Sequence, residues 1–227
     1  MMASADRLEE RFPEAIEKIA ELFNYESTAM RKMLERLNAI YRVTEQKWDE
    51  NIERLKKIDT QVRYVLFGEA APWTERGEVI YFYNNPVGPW CKRIWKTFFP
   101  SDDRPLNLED FFLKLGKKQF LLIDTLPFAR QYNKKSARYK LLYKELIRDC
   151  IPYVQSKMDD ERISWAPDVK IALAFRVNGL AVIDVYQQGL TLKTGQKLDF
   201  TQEIIAADDS GYTNSETLRR MWSGLHI

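Results

Sequence analysis

The sequence predicts an α/β fold: a four-stranded parallel sheet sandwiched between helices and preceded by an N-terminal helical segment. Three observations predict it. Apolar residues in the first 58 positions recur at helical spacing, four short and continuously apolar runs follow, and helical segments separate those runs. Strands buried on both faces are apolar without alternation, and strands that alternate with helices favour a parallel sheet.

The N-terminal part of the chain, residues 1–58, is predicted to form three amphipathic helices. It is rich in Glu, Lys, Arg and Leu, and breaks between the helices are expected at residues 24–27 and 43–44. The apolar pattern is too short for a separate coiled coil. We therefore expect this helical segment to pack on a main domain formed by residues 59–227.

The four predicted strands are bounded by polar or turn residues: VRYVLF (62–67), QFLLI (119–123), VKIALAF (169–175) and EIIAA (203–207). Helices are predicted at 88–99, 107–117, 136–150 and 177–188. Gly189 is placed to cap the last of these helices. Residues 190–200 are expected to form a small hairpin that turns at Thr194 and Gly195.

The composition is that of a globular protein, and the residue types limit the chemistry that it can carry out. The chain is 45% hydrophobic and 30% charged, without an apolar leader or a membrane-length apolar run, which predicts a cytoplasmic protein with no membrane partner. Cys91 and Cys150 are expected to be reduced thiols, and neither a metal nor a cofactor is predicted. His226, the sole histidine, is next to last, so carboxylates, hydroxyls, Lys or Arg must carry any chemistry. Trp90, Trp95 and Trp222 are predicted to be core residues.

Ligands of open parallel sheets bind where loops leave the carboxyl ends of the strands. The rule selects four loops: GEAAPW (68–73), DTLPFARQ (124–131), RVNG (176–179) and DDSGYTN (208–214). They contain the carboxylates Glu69 and Asp124 and the adjacent pair Asp208 and Asp209. Glu69, at the tip of a buried strand, is therefore predicted to face the crevice.

Several of these segments resemble the uracil-DNA glycosylase superfamily over residues 62–222. They are an apolar strand running into GEAAP, a strand ending in LLIDTLPFA, the strand KIALAF before a Gly-containing helix start, and a last strand with a Ser-Gly-x-x-Asn turn. GEAAP is similar to the GEAPG loop of bacterial and archaeal branches, with an added alanine and with Trp73 in place of the usual glycine. The resemblance implies an enzyme that flips a base out of DNA and hydrolyses its N-glycosidic bond without a metal.

The resemblance also implies roles for individual residues. Glu69 matches the acidic residue that orients water or stabilises the sugar cation, and Asp124 matches the asparagine that reads the base edge. Tyr81 or Tyr83 lies where an aromatic ring stacks on the base. The HPS tripeptide of the family is matched by Asp208, Asp209 and Ser210. The remaining residues that are expected to contact the base are Gly68, Ala70, Phe128 and Asn214.

Two departures from the family pattern change the expected chemistry. The HPS position lacks its histidine, so a histidine cannot stabilise the departing base. An ionised Asp124 offers acceptors only, which favours a base with an amino group, such as cytosine or a modified cytosine, and disfavours uracil. The two cysteines also exclude the four-cysteine iron–sulfur cluster of the GEAPG branches.

A basic stretch follows the second site loop. Residues 130–148 carry seven Lys or Arg against one Glu, with tyrosines between them, which favours an anionic partner. A solvated helix face is the other interpretation. The predicted DNA contacts are Arg130, Lys134, Lys135, Arg138 and Arg219, with Tyr212 in the loop that wedges into the duplex.

Each site residue also has a structural interpretation. Glu69 and the Asp208 pair are equally suited to capping a helix or turn, Asp124 to capping the turn before Pro127, and the tyrosines to the core. Three functions follow. The first is a glycosylase-like hydrolase acting on a flipped non-uracil or modified base, in DNA repair or in phage defence. The second is a catalytically inactive module that binds nucleic acid or protein, and the third is hydrolysis or binding of a free nucleoside or nucleotide.

Overall fold

The computed structural model describes residues 7–23, 27–73, 79–85, 88–103, 105, 107–129, 137–187, 189–208 and 213–222. Within these ranges, the side chains of residues 22, 23, 27, 88, 89, 137–141, 177 and 178 are not described. The fold and the site are built from the remaining residues.

The centre of the fold is a parallel sheet of three strands in the order β2-β1-β3. The strands are β1 (Gln61–Gly68), β2 (Phe120–Asp124) and β3 (Ser164–Leu173). All five residues of β2 are buried, as expected for continuously apolar strands with helices on both faces. The predicted α/β class with a helix-flanked parallel sheet is confirmed.

The prediction of a fourth strand is wrong. Gln202–Ile204 forms a 3₁₀ helix, and only Ile205 bridges in parallel to Leu173 of β3. The Ala206 N–H donates to the Leu173 carbonyl at 2.9 Å, after which Ala207 bridges in the antiparallel sense to Thr213. Because the chain turns after one residue pair, this segment lies beside β3 without extending the sheet.

Three helices precede the sheet, and two of their boundaries differ from the prediction: an unexpected break at Phe12 separates the first two helices, and the third is longer than expected. They are α1 (Leu8–Arg11), α2 (Pro13–Phe23) and α3 (Ser27–Lys57). The break predicted at residues 43–44 is wrong, since α3 continues through it. The Thr44 hydroxyl donates to the carbonyl of Tyr41 at 2.8 Å, a bond within the helix that accommodates a buried β-branched polar residue.

Helix α3 contacts residues near the outer edge of β2. Trp48 packs edge-on against Tyr83, with ring centroids 6.2 Å apart. The Tyr83 hydroxyl donates to the Leu122 carbonyl at 3.0 Å and accepts from the Leu122 N–H at 2.7 Å. An edge strand otherwise leaves such backbone groups unpaired. Buried residues of these N-terminal helices belong to the same hydrophobic cluster as the sheet.

The remaining helices cover the two faces of the sheet. They are α4 (Gly88–Phe98), α5 (Leu108–Lys117), α6 (Ala137–Asp149), α7 (Ile151–Met158), α8 (Arg176–Val185) and α9 (Ser215–Met221). Phe98 and Trp222 pack on Tyr64 of β1, whereas Phe200 packs on Phe67, which alternates to the opposite face.

The helices and the hairpin after β2 match the prediction in part. Helices α7 and α9 were not expected, and α8 ends at Val185, before Gly189. The hairpin is confirmed: β4 (Leu190–Thr191) pairs with β5 (Lys197–Leu198), and Gly195 takes a positive φ of 84° at the turn.

Trp95 and Trp222 are fully buried, whereas Trp90 is half-buried and packs against the core. No helix among the described residues is long and apolar enough to cross a membrane.

Candidate functional site at the carboxyl ends of β1 and β2

Strands β1 and β2 end side by side at Gly68 and Asp124, which are partners in the parallel register. The Asp124 carboxylate lies over Gly68: a Cβ on Gly68 would be 2.3 Å from Asp124 Oδ1. The Thr125 hydroxyl donates to the carbonyl oxygens of Gly68 and Glu69 at 3.1 and 3.2 Å. These contacts hold the two strand ends together, and the Asp124 contact disfavours a side chain at position 68.

Glu69 follows β1 directly and is 4% exposed. Its backbone carbonyl also accepts from the Leu126 N–H at 3.0 Å, so the first residues after both strands are tied to each other. Ala70 is half-buried and packs against the core. A carboxylate is rarely buried without a structural or chemical role, because leaving water disfavours its charge.

Asp124 is the second buried carboxyl group at this end of the sheet, with 8% of its surface exposed. Burial raises its pKa from 3.8 to about 7. A pKa near neutrality allows both the protonated and the ionised form to be present under ordinary conditions. The structure thus places the backbones of Gly68, Glu69 and Asp124 next to each other at one end of the sheet.

Tyr81 and Tyr83 lie beneath this site and are both buried. Their rings meet edge to face with centroids 5.6 Å apart. The hydroxyl of Tyr83 is committed to the backbone of Leu122. Both tyrosines interact electrostatically with Asp124, and this interaction adds to the effect of burial in raising the pKa of each phenol. Of the two predicted stacking residues, Tyr83 therefore has its hydroxyl occupied by backbone contacts, and both rings belong to the core.

A cluster of two aromatic rings and a hydroxyl group at the end of β3 was not predicted from the sequence. Trp90 stacks on Phe175 with centroids 5.9 Å apart, and its indole N–H donates to the Thr213 hydroxyl at 3.0 Å. Thr213 in turn donates to the Ala174 carbonyl at 2.6 Å. The cluster joins α4, the end of β3 and the segment before α9. Its only sequence signal was the aromatic density around Trp90.

The other described candidates for site residues are Phe128, Asp208, Asn214 and Arg219. Phe128 is a fully buried core residue. The Asn214 side chain accepts from the N–H groups of Glu216 and Thr217 at 2.9 and 3.0 Å and so caps α9. Asp208 is half-buried, and Arg219 donates to the Ser215 carbonyl of its own helix at 3.4 Å.

The remaining predicted site residues fall outside the described residues. They are Asp209, Ser210 and Tyr212 of the last loop, and Arg130, Lys134 and Lys135 of the basic stretch. Arg138 lies in α6, but its side chain is not described. The predicted DNA contacts in this stretch remain predictions.

Potential metal ligands are dispersed in the part of the chain that the structure describes. In these ranges, no three side chains of His, Cys, Asp or Glu are grouped to hold a metal ion. Cys91 and Cys150 are both buried and are not joined in a disulfide, and burial is the main cause that raises the pKa of the Cys150 thiol.

Comparison of the chain with protein-family models, with curated proteins and with solved structures finds no match. The site geometry and the sequence motifs therefore carry the functional conclusion.

Proposed function

We propose that the protein is a DNA glycosylase-like hydrolase that acts on a base flipped out of the duplex. The observation that carries the proposal is the pair of buried carboxyl groups, Glu69 and Asp124, at the ends of two neighbouring parallel strands. The GEAAP and LLIDTLPFA motifs, which supply these two residues, support it further. Base chemistry within duplex DNA requires such extrusion into a pocket.

Glu69 is assigned the central catalytic role. Cleavage of an N-glycosidic bond develops positive charge on the sugar, and a nearby carboxylate stabilises that charge and orients the attacking water. The water oxygen forms a bond to C1′, the C1′–N bond breaks, and the base leaves with the electron pair and takes up a proton. Burial strengthens the interaction of Glu69 with the developing charge, because it removes competing water.

Asp124 is assigned the reading of the base edge, with Tyr81 beneath it. In its ionised form Asp124 accepts hydrogen bonds only, so it selects a base with an exocyclic amino group, such as cytosine or a modified cytosine. Lysines and arginines of the 130–148 stretch are proposed to hold the DNA phosphates.

A base-release assay tests this function. Oligonucleotides that contain uracil, hypoxanthine, cytosine or modified cytosines are incubated with the full chain, and released base and alkali-labile sites are measured. We expect release from at least one of them, lowered about 100-fold or more by Glu69→Gln, in line with loss of a positioned general base. Glu161→Gln is the matched control, because Glu161 is exposed just before the amino end of β3. Equal release by the Glu69→Gln variant would overturn the assignment.

A catalytically inactive binding module is the second candidate. Two predicted binding residues, Tyr83 and Asn214, have polar groups committed to backbone contacts, which favours a retained scaffold over a complete site. DNA binding without release of any base would identify this function. A protein that hydrolyses or binds free nucleosides would instead show little affinity for oligonucleotides.

A further inference from the structure

Helices α4 and α5 together present a group of lysines. We name it the lysine surface, and its five members are Lys92, Lys96, Lys114, Lys117 and Lys118. Helix α4 has no Asp or Glu, and the two carboxylates of α5, Glu109 and Asp110, are in its first turn. Positive charge is therefore concentrated along α4 and at the end of α5.

Aromatic rings join the two helices at this surface. Trp95 of α4 stacks on Phe111 of α5 with ring centroids 5.4 Å apart, and on Phe99, just after α4, at 4.1 Å. The Lys114 ammonium group lies 5.9 Å from the Trp95 ring centroid, and that of Lys118 lies 5.5 Å from the Phe99 centroid. Because an aromatic ring attracts a cation placed over it, these rings hold the lysines of α5 beside α4.

Lys96 belongs to the same cluster. Its ammonium group donates to the carbonyl oxygens of Pro100 and Asp102 at 3.0 and 2.9 Å, and the Trp95 indole N–H donates to the same Asp102 carbonyl at 3.1 Å. These acceptors are neutral, so they orient Lys96 without cancelling its charge. Lys92 is exposed and lies one helical turn before Lys96, on the same side of α4.

The lysine surface keeps its positive charge in the folded protein. In the part of the chain that the structure describes, no carboxylate forms an ion pair with any of the five lysines. Glu109 of α5 is paired with Arg54 of α3 at 2.7 Å, and Asp102 and Asp103, in the loop after α4, are exposed and offset part of the charge. A cluster of unpaired cations attracts an anionic partner.

The apolar residues of these helices indicate which class of partner fits. Ile94 and Phe98 of α4 are buried, and the exposed Leu108 begins α5, at the opposite end from its lysines. A helix that binds a membrane surface exposes an apolar face, and a protein interface has apolar or aromatic anchors at its centre. The lysine surface lacks both features, which leaves a partner that is bound through its charge.

We propose that the lysine surface binds the phosphates of duplex DNA, as a contact separate from the candidate site. Phe99 is covered by Trp95 and Lys118, so the bases of a single strand have no free ring on which to stack. A duplex keeps its bases inside and presents phosphates, which lysines bind as point charges. Lys118 precedes the first residue of β2, whereas Asp124 ends that strand, so the contact lies toward the other end of the sheet.

The charge argument does not require hydrolysis, whereas the choice of DNA over RNA rests on the proposed function. The test titrates the full chain with a short unmodified DNA duplex at several salt concentrations. In a variant with Lys92→Gln, Lys114→Gln and Lys117→Gln, we expect the affinity at about 0.1 M salt to fall about 10-fold or more. The slope of log affinity against log salt should become shallower by about 2–3, because each phosphate contact contributes about 0.9.

A matched control removes three charges elsewhere. Arg31→Gln, Lys32→Gln and Lys197→Gln act at exposed cations of α3 and β5, and should change the affinity by about 2-fold at most, because salt screens distant charges. Equal losses in the two triple variants, or an unchanged salt slope in the variant of the lysine surface, would overturn the proposal.

A structural role for these lysines makes a different prediction. Lys96, Lys114 and Lys117 are in the last turns of their helices, where a cation also interacts with the helix dipole. The free energy of unfolding is therefore measured for every variant, and a loss of stability with an unchanged salt slope would show a structural role only. Arginine at positions 92, 114 and 117 keeps the charge and should keep the slope. Lys117→Gln alone, at an exposed position, should lower the slope by about 0.9 and tests the proposal without the triple variant.

Further outcomes separate the partners and the two proposals. Tighter binding to an RNA duplex of the same sequence overturns the choice of DNA, and binding only to vesicles of phosphatidylserine and phosphatidylcholine overturns a nucleic-acid partner. Lysine-dependent DNA binding without any base release supports this inference and overturns the proposed function. Base release with binding that does not depend on the lysines overturns this inference alone.

Discussion

Asp124 occupies the space that any side chain on Gly68 would need, since Oδ1 lies 2.3 Å from the position of a Cβ there. The contact joins the last residues of two parallel strands and fixes where the Asp124 carboxyl group lies at this end of the sheet. Asp124 is deeply buried, so it has little freedom to move aside. The glycine and the aspartate therefore depend on each other.

Gly68→Ala is expected to destabilise the protein by about 1–3 kcal/mol, the usual cost of overpacking a buried site. Asp124→Ala removes the clashing atoms, after which a Cβ at position 68 meets Leu122 Cδ2 at 3.7 Å, an ordinary contact. A double-mutant cycle measured by chemical denaturation should therefore show a coupling of about 1 kcal/mol or more. Strict additivity of the two substitutions would contradict the contact.

The stability of the folded protein should decrease as the pH rises from about 4 to about 7. The folded state keeps the Asp124 proton up to about pH 7, whereas the unfolded chain releases it near the ordinary value of 3.8. The folded state binds more protons in this window, so raising the pH costs stability, by up to about 4 kcal/mol. Asp124→Asn should remove that slope and be the more stable protein above pH 7. Asp199→Asn, at an exposed site, is the control and should leave the pH profile unchanged.

Two buried tyrosines offer a matched test of the capped strand edge. Tyr83→Phe removes both hydrogen bonds to the Leu122 backbone and should cost about 1–3 kcal/mol, because a buried N–H and C=O lose their partner. The Tyr186 hydroxyl is buried without a hydrogen-bond partner among the described residues, so Tyr186→Phe should be neutral or stabilising. Equal losses in the free energy of unfolding would show that the Leu122 contacts contribute little.

The attachment of α3 to the rest of the fold can be tested at Lys157. Its ammonium group is buried, donates to both carboxylate oxygens of Glu45 at 2.8 and 2.7 Å, and lies 4.7 Å from the Trp48 ring centroid. Glu45→Gln removes the carboxylate that pairs with this charge and leaves the smaller favourable effect of Asp49. It should cost about 1–3 kcal/mol, less than a fully buried pair because Glu45 is partly exposed. The exposed pair Lys47–Glu50 is the control, and Glu50→Gln should cost less than about 0.5 kcal/mol. If both changes are neutral in thermal unfolding, α3 is not held by the Glu45–Lys157 pair.

The strand segments that were correctly predicted from the sequence are buried at every residue. Residues 64–67 and 121–123 are all buried, so their unbroken apolar runs identified β1 and β2 and the loops that follow them. The 203–207 run looked similar but failed to form a strand, because Ile204 and Ile205 are only half-buried and the chain turns back at Ala207. Apolar composition alone does not separate these cases.

The features of the site that were missed depend on tertiary contacts. No spacing rule indicates that the Tyr83 hydroxyl pairs with Leu122, or that Trp90 reaches Thr213 across 123 positions of chain. The pKa of Asp124 could not be predicted from the sequence either, because burial in the folded protein raises it to about 7. The sequence located the two carboxyl groups, whereas the packing of the folded protein determines how deeply they are buried and the pKa of Asp124.

The central claim is that Glu69 carries glycosidic hydrolysis in a crevice shared with Asp124. Its most direct test is a single-turnover measurement of base release by the unmodified protein and by the Glu69→Gln variant, with DNA affinity measured in parallel. We predict a release rate at least about 100-fold lower in the variant with similar affinity, because the carboxylate acts on the transition state more than on bound DNA. Equal rates, or bound DNA from which neither protein releases a base, would contradict it.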